Sequence, residues 1–436
     1  MKNSGIEWIG EIPDSWKVVE TKFLFDIFSG ATPDTSVPEN WDGGINWITP
    51  ADFKSDDYYV STGKKSITIK GLNSCSATIV PEDSLIFSKR APIGAVVIAK
   101  NELCTNQGCL SCVNKGQSVT KYYYYVMRAA EKIYELYGAG TTFKEIAALK
   151  FANFVLPCPN VNEQETIQLC LSNKMEKVDK LIEVQQAQIE KLKEYKQSVI
   201  TEAVTKGLNP TAPMKDSGVE WIGKIPESWK VMRLKDAIES HFGGCWGEEA
   251  SEDDGILCIR IADFDFDRQT IKSSASTKRQ YSIAQLEKGV LQDGDLILEK
   301  SGGGEKTSVG RVVVFEQKMF PCKAMFANFS ECLRLKRNLH NEKYCAYLLK
   351  ALYYTKEMSC FYHQTTGIQN LDIAEYLSMN LCFPSRNEQD FIVACLDKKL
   401  VEIDKLIALK QSKIEKLQEY KKSLIYEYVT GKKEVM

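Results

Sequence analysis

Residue types able to do chemistry are few and poorly placed in this chain. Asn209-Pro210 is followed by Thr211-Ala212, so it lacks the aromatic residue with which amino-methyltransferases stack an extruded base. It reads better as a linker turn. Ser301-Gly302-Gly303-Gly304-Glu305-Lys306-Thr307 superficially suggests a phosphate loop, but Glu305 stands where a glycine should precede the lysine. Its carboxylate would oppose a nucleotide phosphate. A flexible loop beside nucleic-acid phosphates and a plain surface hairpin both stay open for it. Its counterpart, Ser88-Lys89-Arg90-Ala91-Pro92-Ile93-Gly94, is also basic and turn-rich. Cys104, Cys109 and Cys112 form one cluster, and Cys109-Leu110-Ser111-Cys112 has a metal-like spacing without a second pair. His241, His340 and His363 lie far off in sequence, so buried thiols on a strand are expected and neither zinc nor Cys-His catalysis is. The expectation is no catalytic residue, no metal and no cofactor on this chain.

Composition points to globular units. With 44% hydrophobic and 26% charged residues, 436 residues suggest two to three domains, two being the simplest count. No window approaches ~18 uninterrupted apolar residues, so no membrane span and a cytoplasmic, bacterial location are expected. The 14 cysteines are scattered and read as reduced thiols. A net charge of -2 argues against coating a polyanion through overall charge, so any such contact must be local or shared.

The chain begins twice. Gly5-Ile6-Glu7-Trp8-Ile9-Gly10-Glu11-Ile12-Pro13-Asp14-Ser15-Trp16 returns as Gly218-Val219-Glu220-Trp221-Ile222-Gly223-Lys224-Ile225-Pro226-Glu227-Ser228-Trp229. The halves also end alike: Asn162-Glu163-Gln164 matches Asn387-Glu388-Gln389, and Asp179-Lys180-Leu181-Ile182 matches Asp404-Lys405-Leu406-Ile407. Between these frames only faint echoes survive, Ala51-Asp52-Phe53 with Ala262-Asp263-Phe264 and Leu85-Ile86 with Leu296-Ile297. A repeat this long is a domain duplication in which one scaffold carries two interiors.

The shared tails, 163 to 206 and 388 to 430, have apolar residues at helical spacing and no proline. A seven-residue register puts Met175, Val178, Ile182, Ile189, Leu192 and Val199 on one seam, and Leu400, Ile403, Ile407, Ile414, Leu417 and Leu424 on the other. An antiparallel coiled coil buries both stripes; helices inside one globular bundle are the plainer alternative. Gln185 and Lys410 interrupt the seams at equivalent positions. At 1.5 Å per residue about 44 residues span ~65 Å, enough for a rigid spacer. Each interior mixes short apolar runs with turn residues and then a helix, so the predicted fold class is α+β. It comprises two pseudo-repeated domains, 1-160 and 208-385. Long helices at 161-207 and 386-436 join and separate them.

The repeated opening, the Asn-Glu-Gln helix start and the Asp-Lys-Leu-Ile helix core resemble the specificity subunits of Type I restriction–modification systems, over essentially the whole chain. The resemblance implies a non-catalytic reader of double-stranded DNA whose two domains each read half of a bipartite site. It also implies two modification subunits that carry S-adenosylmethionine and methylate adenine at N6, and restriction subunits that use ATP and Mg. An assembly scaffold without sequence readout is the alternative, and a reader serving a fused restriction–methylation enzyme is a third relative of the same kind.

Base readers must come from segments that differ between the halves, and Arg, Lys, Asn, Gln, Ser and Thr suit groove edges. The first-domain candidates are Lys54, Lys89, Arg90, Asn106, Gln107, Thr141, Thr142 and Lys144. Those in the second are Arg260, Arg268, Lys300, Lys306, Arg311, Gln364, Thr365, Thr366, Gln369 and Asn370. For any one of them the plain reading is a solvated surface residue. Trp8, Trp16, Trp221 and Trp229 belong to the shared frame and are expected to pack, not to stack on bases.

Overall fold

The computed structural model describes residues 1–54, 58–140, 144–250, 255–303, 307–365 and 368–435. Two compact units emerge, one from residues 1–186 with 411–436, the other from 187–410. Each takes its recognition domain plus one stretch of each long helix, so the unit boundary falls within the helices and not at their ends. The α+β expectation holds.

Two sheets carry the interior of the first unit, beside two-stranded pairings of Lys2–Asn3 with Glu11–Ile12 and of Lys17–Glu20 with Val155–Cys158. Phe25–Ser29, Cys109–Asn114, Leu85–Ser88 and Val96–Ala99 run antiparallel in that spatial order, with Tyr59–Val60 added parallel at the edge. A smaller sheet orders Cys104–Thr105, Trp41–Ile48 and Lys65–Ile67. In the second unit Ile238–Gly243, Ser330–Leu335, Leu296–Glu299 and Val312–Val314 repeat the first order, and Ala324–Phe326, Ile256–Ile259 and Lys278–Gln280 repeat the second. Both small sheets even share the same parallel pair. The faint sequence echoes are thereby explained. Leu85-Ile86 and Leu296-Ile297 are buried on equivalent central strands. Asp52 and Asp263 cap equivalent 3-10 turns by accepting hydrogen bonds from the backbone N–H of Thr49 and Arg260, each at 2.9 Å.

The long helices span Val161–Lys206 and Arg386–Val429. Asn160 Oδ1 and Ser385 Oγ cap them by accepting from Glu163 N and Glu388 N. The repeated Glu and Gln that follow have definite partners. Trp16 Nε1 donates to Glu163 at 2.8 Å and Trp229 Nε1 to Glu388 at 3.0 Å. Gln164 and Gln389 each bridge the proline carbonyl before the helix to the start of the helix that follows the sheet.

Within each unit the two helix segments run antiparallel. In the second, Lys410 Nζ donates to Gln188 at 2.6 Å and Lys196 Nζ to Asp404 at 2.7 Å, one number rising as the other falls. Lys421 and Asp179 form the equivalent pair in the first. Met175, Val178, Ile189, Val199, Leu400, Ile403, Ile414 and Leu424 are buried, whereas Ile182, Leu192, Ile407 and Leu417 are partly so. Gln185 is buried as well. Each domain closes on the end of the helix whose own start lies in the other half of the sequence. Tyr122 Oη donates to Val429 O at 3.2 Å, and Tyr344 Oη to Val204 O at 3.1 Å. Beyond them Gly431 and Gly207, both at positive φ, let the chain turn against Trp16 and Trp229 of the repeated openings. Trp16 and Trp229 are buried, as framing residues should be.

Candidate nucleic-acid interface

In both units the loops at one end of the paired sheets are tied together by the same backbone hydrogen bonds. Lys89 N donates to Gly108 O and Ile146 N to Lys89 O; Lys300 N donates to Phe329 O and Leu371 N to Lys300 O, all at 2.8–3.0 Å. The chain leaving the first strand of each main sheet crosses this cluster at very close range. A β-carbon on Gly30 would collide with the carbonyl oxygens of Thr105 and Asn106, and one on Gly244 with those of Phe326 and Ala327. Ala31 N and Cys245 N then bond Thr105 O and Phe326 O, both at 2.9 Å. One backbone frame thus joins four loops in each domain, and different side chains stand on it.

In the first domain the frame gathers Lys89, Arg90, Asn106 and Gln107. Lys89 reaches Glu145 at 2.8 Å and Arg90 lies 3.8 Å from the same carboxylate. Asn106 Oδ1 accepts from Gly108 N at 2.9 Å, and the exposed Gln107 bonds Thr32. Lys54 is exposed just past the Asp52 turn, and Lys144 is exposed beside Glu145. Thr141 and Thr142 lie outside the described residues.

The second-domain candidates divide more sharply. Lys300 pairs with the buried Glu331 at 3.0 Å, a carboxylate it shares with His241 at 2.9 Å. Arg260 is held by Asp263, whose hydrogen bonds raise the guanidinium above its ordinary pKa. Arg311 makes a two-pronged contact at 2.7 and 2.8 Å with Glu299, itself fully buried on the central strand. Gln369 is buried, accepting from Val309 N at 3.1 Å, and Asn370 takes the Ser301 hydroxyl at 2.6 Å. Arg268 stands apart: its loop packs toward the long helices, beside Lys196, Lys343 and Asp397. Gln364 and Thr365 occupy the strand Tyr362–Thr365, while Lys306 and Thr366 lie outside the described residues.

Arg311 and Gln369 are therefore spent on structure, and Arg268 is not brought to the loop end at all. Sequence reasoning missed Trp246 and Phe329, both exposed on the second domain's loops, where Arg279 stacks over the Trp246 ring at 4.6 Å. It also missed the framing glycines. The signal available was the glycine that follows the first strand in each half, Ser29-Gly30-Ala31 and Gly243-Gly244-Cys245. Cys109 and Cys112 are buried on one strand, where burial pushes both thiols well up. Among the described residues no group of three His, Cys, Asp or Glu is placed to hold a metal ion, and no helix is long and apolar enough to cross a membrane.

Known proteins resemble the chain on this same plan. The chain is 29% identical over 383 residues, 83% of either sequence, to the Type I restriction enzyme MjaIX specificity subunit of Methanocaldococcus jannaschii. The MjaVIII specificity subunit of the same organism is 23% identical, with 97% of this chain and 93% of that protein covered. The fold matches a solved chain from a study of complex assembly and conformational transition of the type I R-M system, with a TM-score of 0.69, 16% identity and coverage of 96% and 98%. It also matches the HsdS subunit from Thermoanaerobacter tengcongensis, with a TM-score of 0.52, 14% identity and coverage of 97% and 98%. Residues 13–194 and 226–419 each match the family described as Type I restriction modification DNA specificity domain, and the chain belongs to that family, with one copy in each half.

Proposed function

We propose that this chain reads a split site on double-stranded DNA, one half per domain, and recruits adenine-N6 methyltransferase subunits while doing no chemistry itself. The observation that carries the reading is the shared loop frame bearing unlike side chains: a common backbone fixes how a duplex is met, and divergent residues fix which bases are accepted. On this reading S-adenosylmethionine belongs to the modification subunits and ATP with Mg to restriction subunits. The chain works in the cytoplasm, where its DNA is, and the partners supply much of the electrostatic clamp that a net charge of -2 does not.

Recruitment has its own support on the long helices. Leu181, Val184 and Tyr420 are exposed within two turns of the Asp179–Lys421 pair. Their equivalents Leu406, Leu409 and Tyr195 are exposed about the Lys196–Asp404 pair. Large apolar side chains left in solvent at both copies of a duplicated element mark docking sites for a partner taken twice. Leu181→Glu and Leu406→Glu should each remove one methyltransferase subunit from the co-purified complex and the double variant both, read by native mass spectrometry; unchanged stoichiometry would refute this docking surface.

The reading as a whole is tested by co-expressing the chain with the modification subunit encoded beside it and mapping N6-methyladenine by single-molecule sequencing. A two-part motif with a fixed gap, absent without this chain, is the expected result. Exchanging residues 17 to 160 for another family member's interior should change one half of that motif only. A stable complex with no motif would instead establish a scaffold.

A further inference from the structure

The two loop frames carry opposite chemistry at equivalent positions. Thr32 and Gln107 bond each other in the first domain, and Gly108 follows them at close quarters, where a β-carbon would lie 3.0 Å from Asn106 Oδ1. Their counterparts in the second domain, by the shared backbone bonds, are Trp246, Asn328 and Phe329. There the loops enclose an open, mainly apolar hollow of about 490 Å³ lined by Trp246, Ile261, Ala262, Ala327, Asn328 and Phe329, with Arg260 beside them. Trp246 is 40% exposed and Phe329 52%, so neither ring is needed to complete the core. The scaffold does not demand an apolar surface there, since the first domain folds with Thr32 in the place of Trp246 and Gly108 in the place of Phe329. Two cations flank the hollow, Arg260, paired with Asp263, in its lining and Arg279 over the Trp246 ring.

We infer that this hollow receives the 5-methyl group of a thymine in the second domain's half-site. The inference rests on the DNA-reading function proposed above and names what one of its two sites selects. An apolar concavity flanked by cations suits an apolar group carried on a polyanion, and in the major groove the thymine methyl is that group. Trp246 and Phe329 form the walls, and the Arg260 guanidinium is positioned to meet the neighbouring base edge or phosphate. The first domain, with Thr32 and Gly108 where these two rings stand, lacks both walls and is indifferent to that methyl.

The test uses the full chain, with whatever methyltransferase subunits co-purify, on duplexes of the mapped motif. The half-site left unchanged by the 17 to 160 exchange belongs to the second domain. Replacing its thymines one at a time by uracil removes only the methyl, and at one position affinity should fall roughly three- to fivefold, the worth of one buried methyl. Uracil in the first half-site should change nothing. Phe329→Ala and Trp246→Ala, both exposed and so tolerated by the fold, should bring the thymine-to-uracil ratio to about one. A second half-site without an A·T pair, or one that binds uracil as well as thymine throughout, overturns the inference while leaving DNA reading intact. Equal weakening of thymine and uracil duplexes by Phe329→Ala would make the ring a wedge and overturn it too. Absence of any motif would be a failure of the underlying function instead.

Discussion

At the scale of single residues, the charged candidates separate by what holds them. By type Arg311 suits a base edge, yet it neutralises a carboxylate that the central strand buries. Arg311→Ala leaves Glu299 buried and unpaired, so urea unfolding should show a loss of about 3 kcal/mol with the methylation motif unchanged; an altered motif at full stability would return Arg311 to the readers. His340 is a second case of burial deciding behaviour. Neither ring nitrogen has a partner, the ring packs edge-on against Phe383, and burial with Lys336 and Arg386 nearby lowers its pKa. The unfolded chain therefore binds a proton where the native chain does not. The resulting stability is fully present above the unfolded value of about 6.5 and drains as pH falls toward the folded one. Urea midpoints between pH 7.5 and 5.5 should fall more steeply for the native chain than for His340→Leu, and parallel curves would rule the residue out as a source. None of these partners was legible beforehand, because Glu145, Glu299 and Glu331 come from segments whose proximity only the sheet order creates.

At the scale of elements, periodicity revealed most where it ran longest. The two helices start at Val161 and Arg386 and keep the heptad seam, since a seven-residue repeat sustained over six turns and more has few other structures open to it. The interiors were harder. The smaller sheets gave no period to read, because strands such as Cys104–Thr105 and Glu248–Glu249 are too short to show alternation. The seam itself carries equivalent lysines with unequal surroundings. Lys196 is 5% exposed and bound to both Asp404 and Asp267, whereas Lys421 is 20% exposed and bound to Asp179. Lys196→Met should cost about 2 kcal/mol, since it strands a partly buried carboxylate, and Lys421→Met no more than about 1 kcal/mol. Hydrogen exchange across the two helices would separate these costs, and equal losses would mean that burial does not set them.

At the scale of the whole molecule, the duplication makes each recognition domain depend on the end of the long helix that begins in the other half, and for the first domain that end is supplied from far along the chain. Ile12, Trp16 and Tyr122 of the first unit share a core with Leu424, Tyr428 and Val429, and Tyr426 Oη donates to Trp8 O at 3.1 Å. The second unit uses Val199, Ala203 and Val204 against Ile225, Trp229 and Tyr344 in the same way. Deleting residues 422–436 removes the closing segment of the first unit and no residue of the second, whose membership ends at 410. The core facing that segment includes the fully buried Trp16 and Tyr122, so its loss exposes several large side chains at about 1.5–3 kcal/mol each, a large part of what a domain of this size has to spare. Amide protection should therefore collapse in helix Thr120–Ala129 and persist in helix Glu342–Tyr353. Collapse in both helices would show that the two units fold as a single cooperative body, and protection retained in both would show that the first domain closes without the distant helix end.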